Sequence, residues 1–527
     1  MRLALAMLAE HPKTRSVHFE DGIDNGTDAS TSVLRAHLLT TRPPIDTDST
    51  DDSDSHSHSD VSWGAALSPA DALAHIGERA AADPTLELQI VVHRADPSRH
   101  VLTLATDVPG YGWARWEPAA PTNPVRPLGD MGLANGLVSV DVDADTGTFS
   151  VDGIVGFGRL VDDGDAGDTY NWCPPEINAV IDTPIAVSVE RTEAGPIRGS
   201  IVITSTYALP ERCAIDGQDT MTTGWAGGEV YRRVGSVTQR FTTTVELRAD
   251  DPAVRVTTAW DQRASDHRLR VHLPLPESTD HSVAEDAYTT VERPLWIEGG
   301  PNEWGVPTFP SRRFVRAGGL TVTHEGLCEY ELVGLRSPDG TVVPDTTGMT
   351  AEQGLALGVA PPEGTVAHGI ALTLVRSTGW LSRGPMPSRP QPAGPFDRLD
   401  GAQTLKPLRL SYAVQLDRSA GALDPYTLAD HVWNPLLTAP AAGGGDLGTR
   451  GAMLEVRGTD GGGIDVDAVL RDDHGRLVLR AHSTRADADL VVEGRTGAVI
   501  DLAGNEQDTF TGSMAVDPHR IVTVRLD

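Results

Sequence analysis

The sequence predicts a mainly β protein: a large antiparallel two-sheet sandwich flanked by smaller β-sandwich domains. Three observations predict it. Segments with period-two alternation follow one another from Leu86 almost to the C-terminus. Turn-forming tetrapeptides such as ADTG, EAGP and ADDP separate them. The composition is poor in aromatics, at 5%, and rich in glycine (54) and proline (37), which suits short strands and tight turns. At 527 residues the chain exceeds the roughly 250–300 that one core usually serves, so several domains are expected.

Taken in order, residues 1–45 are ambiguous, with Leu3–Leu8 and Val33–Leu39 each long enough for a helical turn or two. Arg2–Ala9 meets Glu10, His11 and Lys13 too soon for a secretory leader, which predicts a cytoplasmic protein. Residues 46–62 read as a disordered acidic linker, containing DTDSTDDSDSHSHSD. His56 and His58 within it lack a fixed frame for a metal.

Residues 63–124 are expected to be a small helix-plus-β domain. Its helix is LSPADALAHIGERAAA, capped by Ser68 with Pro69 at the first position. Residues 125–415 form the large sandwich. Its strands come from GLVSVDVDADTGTFSVDG, PIAVSVERTEAGPIRGSIVITSTY, VTQRFTTTVELRADDPAVRVTTAWD and RLRVHLPLP. LELQIVVHRA and RHVLTLATDV, upstream, alternate in the same way, and no alternation of parallel strands and helices is expected anywhere. Residues 416–527 are expected to form a terminal β-sandwich, whose strands, from MLEVRG onward, follow the glycine-rich stretch APAAGGGDLGTRGA (439–452).

The formal charge is −31, and only two of the 43 basic residues, Lys13 and Lys406, are lysine. Such a surface repels nucleic acid and anionic lipid, so neither is an expected partner. No apolar run approaches the roughly 18 residues that span a membrane. Cys173, Cys213 and Cys328 are far apart, which predicts reduced, mostly buried thiols. Two acidic clusters stand out: Asp162, Asp163, Asp165 and Asp168 in one loop, and Glu325, Glu329 and Glu331 in another. In so acidic a chain they read as solvated surface, and the first lacks the spacing of a calcium loop.

The stretch ALTLVRSTGWLSRGPMPSRPQPAGP (residues 371–395) starts as a strand and breaks into a loop. That loop reads as holding free arginines and an exposed tryptophan, Trp380.

Five blocks, in order, resemble glycoside hydrolase family 38, the α-mannosidases. GLANGLVSVDVDADTGTFSVDG (132–153) is similar to the opening of that family's large β-domain. VDDGDAGDTYNWCPP (161–175) resembles its Gly/Asp-rich loop ending in a tyrosine. VERPLWIEGGPNEWGVPTFPSRRFV (291–315) and GGLTVTHEGLCEYEL (318–332) resemble later strands. The 371–395 stretch, with Ala402-Gln403 after it, resembles a block of bacterial and archaeal members. The resemblance implies a galactose-mutarotase-like sandwich behind a catalytic barrel. That barrel would carry an aspartate nucleophile, a second carboxylic acid and a zinc ion. Retention needs two carboxyl groups about 5–5.5 Å apart, and a metal gripping sugar hydroxyls assists ring distortion.

No block resembling that barrel is found, so no nucleophile, acid/base or zinc ligand is assigned to any residue. The resemblance places Tyr170 toward the sugar, with Asp168 and Asn171 as hydroxyl partners. From the later loop it points to Arg383 first and Arg389 second, and leaves Arg376 and Trp380 as packing residues. The expected function is that of the C-terminal β-domains of an α-mannosidase acting on terminal α-mannosides in glycan catabolism. These domains would contribute active-site rim and scaffold. The expected partners are an α-mannoside, a homo-oligomer or a missing catalytic half. The alternatives are a stand-alone carbohydrate-binding β-domain and an oligomerising β-scaffold.

Overall fold

The computed structural model describes residues 16–24, 31–39, 67–83, 87–93, 102–105, 108–215, 230–300, 303–327, 329–438, 448–458, 463–484 and 488–527. The expected linker, the Leu3–Leu8 segment, His56, His58 and Cys328 lie outside these residues. The chain divides into two compact units, residues 1–102 and 103–527.

In the first unit the helix runs Pro69–Ala82. The Ser68 side chain accepts from the Asp71 amide, and Pro69 occupies the start, where no intrahelical N–H is needed. The helical reading of Val33–Leu39 is corrected. Thr31–Leu39 is a strand, antiparallel to Ser16–Asp24 and parallel to Glu87–His93. Its apolar positions fit both periods, and ladder partners on both sides decide between them. The expectation of no parallel strand–helix alternation is also corrected: the parallel pair Thr31–Leu39 and Glu87–His93 has the helix between its strands in sequence. Parallel strands need such a crossover, and the helix supplies it. Of RHVLTLATDV, the described residues 102–105 form no strand.

The second unit is built on two antiparallel sheets that share one core. The nine-stranded sheet runs, in spatial order, Ala186–Ala194, Arg198–Leu209, Val237–Arg248, Val254–Asp261, Pro407–Leu416, Leu320–His324, Phe314–Ala317, His281–Asp286 and Thr289–Pro294. The facing sheet has five strands, Arg159–Gly164, His267–Thr279, Ala367–Ser377, Glu329–Val333 and Phe309–Pro310. Alternation along Val254–Asp261 buries Val254, Val256 and Trp260 against Leu269, Val271, Leu273, Ile370 and Leu372 from the other sheet. A five-stranded meander over Arg126–Phe157 adds Val140, Phe149 and Phe157 to the same core.

A short strand, Arg450–Ala452, pairs with Gly112–Ala114. The last segment forms a three-stranded and a five-stranded sheet around their own core of Leu479, Leu490, Phe510 and Val524. The fold is therefore mainly β, with antiparallel sandwiches in the second unit. The helix Pro425–Trp433, started by Asp424 and Pro425, was not anticipated, although Asp-Pro is an ordinary helix-start signal.

His267–Thr279 positions the site. Leu269, Val271 and Leu273 face the shared core, yet Arg268, Arg270 and His272, on the opposite side, are buried too. The outer face of the five-stranded sheet is covered by loops, among them residues 165–182 and 344–350.

Candidate functional site

The segment 161–175 is held down by its own acids; Asp162 and Asp163 lie in the strand Arg159–Gly164 and not, as expected, in a loop, while Asp165 and Asp168 lie in the loop that follows. Asp162, Asp163, Asp165 and Asp168 are each no more than 1% exposed, which overturns their reading as solvated surface. A buried carboxylate must be paired, and each one is. Asp162 accepts from Arg233 and from the His267 ring. Asp163 takes the Arg268 guanidinium in a two-pronged grip, at 2.9 and 3.1 Å, and the Gly348 amide. Asp165 receives Arg376 at 2.8 Å and the Gly167 amide at 3.0 Å. Burial favours the neutral carboxyl, but Arg268 and Arg270 outweigh it at Asp163 and hold that group low. At Asp165 burial wins over Arg376 and the carboxyl is raised.

In the second acidic cluster Glu331 is buried on Arg270 at 2.6 Å and on the Thr346 amide, while Glu325 stays exposed. Positive charge is therefore spent inside the sheet's outer layer: Arg268 also donates to Thr346 and lies 4.0 Å over the Trp172 ring.

Asp168 is the junction of the Gly/Asp-rich loop and the proline-rich loop after Ser377. Its Oδ1 accepts from the amides of Tyr170 and Asn171, both at 3.0 Å, which closes a tight turn. Glycine is needed at 167 in that turn, because a Cβ there would lie 2.1 Å from the Asn171 carbonyl oxygen. The Asp168 Oδ2 accepts from the Arg383 amide at 2.7 Å and from Arg389 Nη2 at 2.5 Å. Arg389 also donates to Asn171 Oδ1, and to the carbonyls of Gln391 and Arg383. Arg383 donates to the Ala166 carbonyl and stacks 3.9 Å over the Tyr231 ring.

All five residues singled out by the resemblance thus meet in one place. Four of them, Asp168, Asn171, Arg383 and Arg389, bond to one another or to this loop's backbone. The reading of free arginines in the 371–395 stretch is corrected: Arg383 is 6% and Arg389 3% exposed. So is the exposed tryptophan. Trp380 is 2% exposed, stacked on Phe396 and flanked by Arg398, because the loop folds back over it. Arg376 pairs with the buried Asp165.

Tyr170 differs from the other four. It is 53% exposed, and its backbone is fixed by Asp168 and by Thr169, which bonds to the Trp380 and Leu381 carbonyls. Two neighbours escaped the sequence reading. Ser382 is fully buried, and its hydroxyl accepts from the amides of Ala393 and Gly394 at 3.0 and 3.1 Å. Gly394 lies against the Tyr170 ring, where a Cβ would sit 2.9 Å from the phenol oxygen. Only the AGP sequence hinted at a special position there.

Zinc, implied by the resemblance, finds no holder among the described residues. Among the described residues no group of three or more His, Cys, Asp or Glu side chains is placed to bind a metal ion. The acids of the loop are engaged by arginines, histidine and backbone amides instead. Cys173 and Cys213 are free, buried thiols, and burial pushes Cys173 up to about 11, so it is not a thiolate ligand at neutral pH. Among the described residues no helix is long and apolar enough to cross a membrane.

No family model and no curated protein matches the sequence. Solved structures do match the fold. An α-mannosidase from Enterococcus faecalis V583 superposes with a TM-score of 0.57 at 19% identity, over 78% of this chain and 42% of its own length. A protein in glycosyl hydrolase family 38 from Enterococcus faecalis gives 0.56 at 18% identity, over 78% of this chain and 44% of its own. The chain spans less than half the length of either. In fold, the chain therefore corresponds to a part of these family 38 α-mannosidase structures.

Proposed function

We propose that this chain supplies the β-domains of an α-mannosidase that acts on terminal α-mannosides in glycan catabolism, forming one side of the sugar site and the scaffold beneath it. The observation that carries the reading is Tyr170: a half-exposed phenol on a backbone locked by buried ion pairs, in a fold shared with α-mannosidases. A phenol offers both a stacking face and a hydroxyl to a pyranose ring. Asp168, Asn171, Arg383 and Arg389 hold the backbone beneath that phenol and do not themselves reach for the sugar.

The two carboxyl groups that glycoside hydrolysis requires are assigned to a separate catalytic half. Asp162, Asp163, Asp165, Asp168 and Glu331 are committed to arginines, and a paired, buried carboxylate is a poor nucleophile and a poor proton donor. The zinc ion, whose chemistry would be to grip sugar hydroxyls, belongs with that half as well.

The test is hydrolysis of nitrophenyl α-mannoside by the purified, folded chain with zinc or cobalt, run beside a titration of methyl α-mannoside followed by NMR. The expected result is no turnover and a weak, saturable, mannoside-selective perturbation at Tyr170. Turnover by the chain alone would place a catalytic site within it. Absence of any mannoside-dependent perturbation would remove the sugar-facing role.

A further inference from the structure

We infer that Gly394, held by the buried hydroxyl of Ser382, is the positioning residue for the Tyr170 phenol; the inference rests on Tyr170 being the sugar-facing group. The geometry points this way from both sides of the contact. The three atoms nearest to a Cβ built on Gly394 all belong to Tyr170: the phenol oxygen at 2.9 Å and two ring carbons at 3.4 Å. Gly394 also has no left-handed backbone that would demand glycine for its own sake. What requires a hydrogen at this α-carbon is the ring of Tyr170 lying against it.

The consequence of adding a methyl group follows from which partner can give way. The 393–395 segment is anchored. Ser382 is fully buried, and its oxygen receives two consecutive amides, from Ala393 and Gly394. The start of the Tyr170 side chain is anchored as well, by Asp168 and the Thr169 contacts. The far end of that side chain is half exposed and free to swing about χ1 and χ2. A methyl at 394 therefore displaces the phenol into solvent without straining the fold. The size of residue 394 sets where the hydroxyl presented to a ligand sits, and Ser382 sets how firmly.

The test uses the full chain and its variants Gly394→Ala, Ser382→Ala, Tyr170→Phe and Gly394→Ala/Tyr170→Phe. Two readouts are taken: the Tyr170 ring resonances, identified by their loss in Tyr170→Phe, and the affinity for methyl α-mannoside. Gly394→Ala is expected to shift the ring resonances, leave the melting temperature unchanged and weaken mannoside binding about tenfold, the worth of one hydrogen bond. In the Tyr170→Phe background, where the 2.9 Å contact no longer exists, the same substitution should change affinity much less. Ser382→Ala should broaden the ring resonances. Unchanged ring resonances in Gly394→Ala would overturn the inference. An equal affinity loss with and without the Tyr170 hydroxyl would overturn it too. A wild-type chain that binds no mannoside would sink the functional reading alone, and the ring resonances would still decide this one.

Discussion

The Asp168 carboxylate and the Arg389 guanidinium, 221 positions apart in sequence, meet at 2.5 Å with neither side chain more than 4% exposed. The pair joins the Gly/Asp loop to the proline-rich loop and makes the two act as one piece of structure. Desolvation makes such a pair costly to form and costlier to break. Asp168→Ala would leave Arg389 buried without its carboxylate and release the Tyr170, Asn171 and Arg383 amides. A loss of about 3–5 kcal/mol in unfolding free energy by urea titration is expected. Asp168→Asn, which keeps an acceptor for the turn amides, should lose less. A loss under about 1 kcal/mol for alanine would mean that the pair does not join the loops.

Tyr170→Phe separates presentation from stability. The phenol is half exposed, and the backbone that carries it is held by other residues. Removing the hydroxyl should change unfolding free energy by no more than about 0.5 kcal/mol, the range of ordinary surface changes. Affinity for methyl α-mannoside should fall about tenfold in the same variant, the worth of one hydrogen bond. Destabilisation beyond that range would assign Tyr170 a packing role.

What the sequence made legible follows from periodicity. Strands such as Val237–Arg248, Val254–Asp261 and His267–Thr279 could be placed because one of their faces lies on a shared apolar core and the alternation reports it. The outer face of His267–Thr279 was not legible. Arg268 and Arg270 look like solvated residues in a pattern, and only the loops that fold over them reveal a buried ion layer. The same blindness made Asp162, Asp163, Asp165 and Asp168 look like surface: charge in a sequence does not say what opposes it. The partners of these acids, Arg233, Arg268, Arg376 and Arg389, come from three separate places in the chain, the last two both from the 371–395 stretch. Thr31–Leu39 was missed for a different reason, since the apolar positions of a nine-residue segment such as TSVLRAHLL support either period until its ladder partners are known. For the site, the family resemblance singled out Tyr170, Asp168, Asn171, Arg383 and Arg389 before any geometry, and the structure shows that these five are neighbours. The resemblance did not distinguish the one exposed member from the four that hold it.

Arg268→Lys tests whether the outer layer depends on shape as well as charge. Arg268 grips both oxygens of Asp163, donates to the Thr346 hydroxyl and carbonyl, and lies 4.0 Å over the Trp172 ring. A lysine ammonium keeps the charge but can satisfy neither the fork nor the stack. A loss of about 2–3 kcal/mol in unfolding free energy is expected, close to the cost of a broken charged hydrogen-bond set. Stability within about 0.5 kcal/mol of the wild type would show that a point charge suffices.

Asp266 gives the layer a pH dependence of definite sign. Burial lifts its carboxyl to about 6, against the pull of Gln403, which donates to it at 2.6 Å, and of the Cys213 contact. Asp165 nearby pushes it the same way as burial, and His267 opposes. In the unfolded chain the same group titrates near its ordinary value of about 3.9. Between these two values the native state keeps a proton that the unfolded state has released. The contribution of Asp266 to stability is therefore greatest below about pH 4 and declines as pH rises through about 6. The two-unit gap corresponds to about 3 kcal/mol. Asp266→Asn removes the titration and retains an oxygen for Gln403. The variant should gain on the wild type from pH 4 to pH 8 by up to about that amount, read as the difference in unfolding free energy at each pH. A difference that does not change across this range would mean that Asp266 does not titrate between the two values. A change in the opposite direction would mean that its pairing, and not its burial, controls the carboxyl.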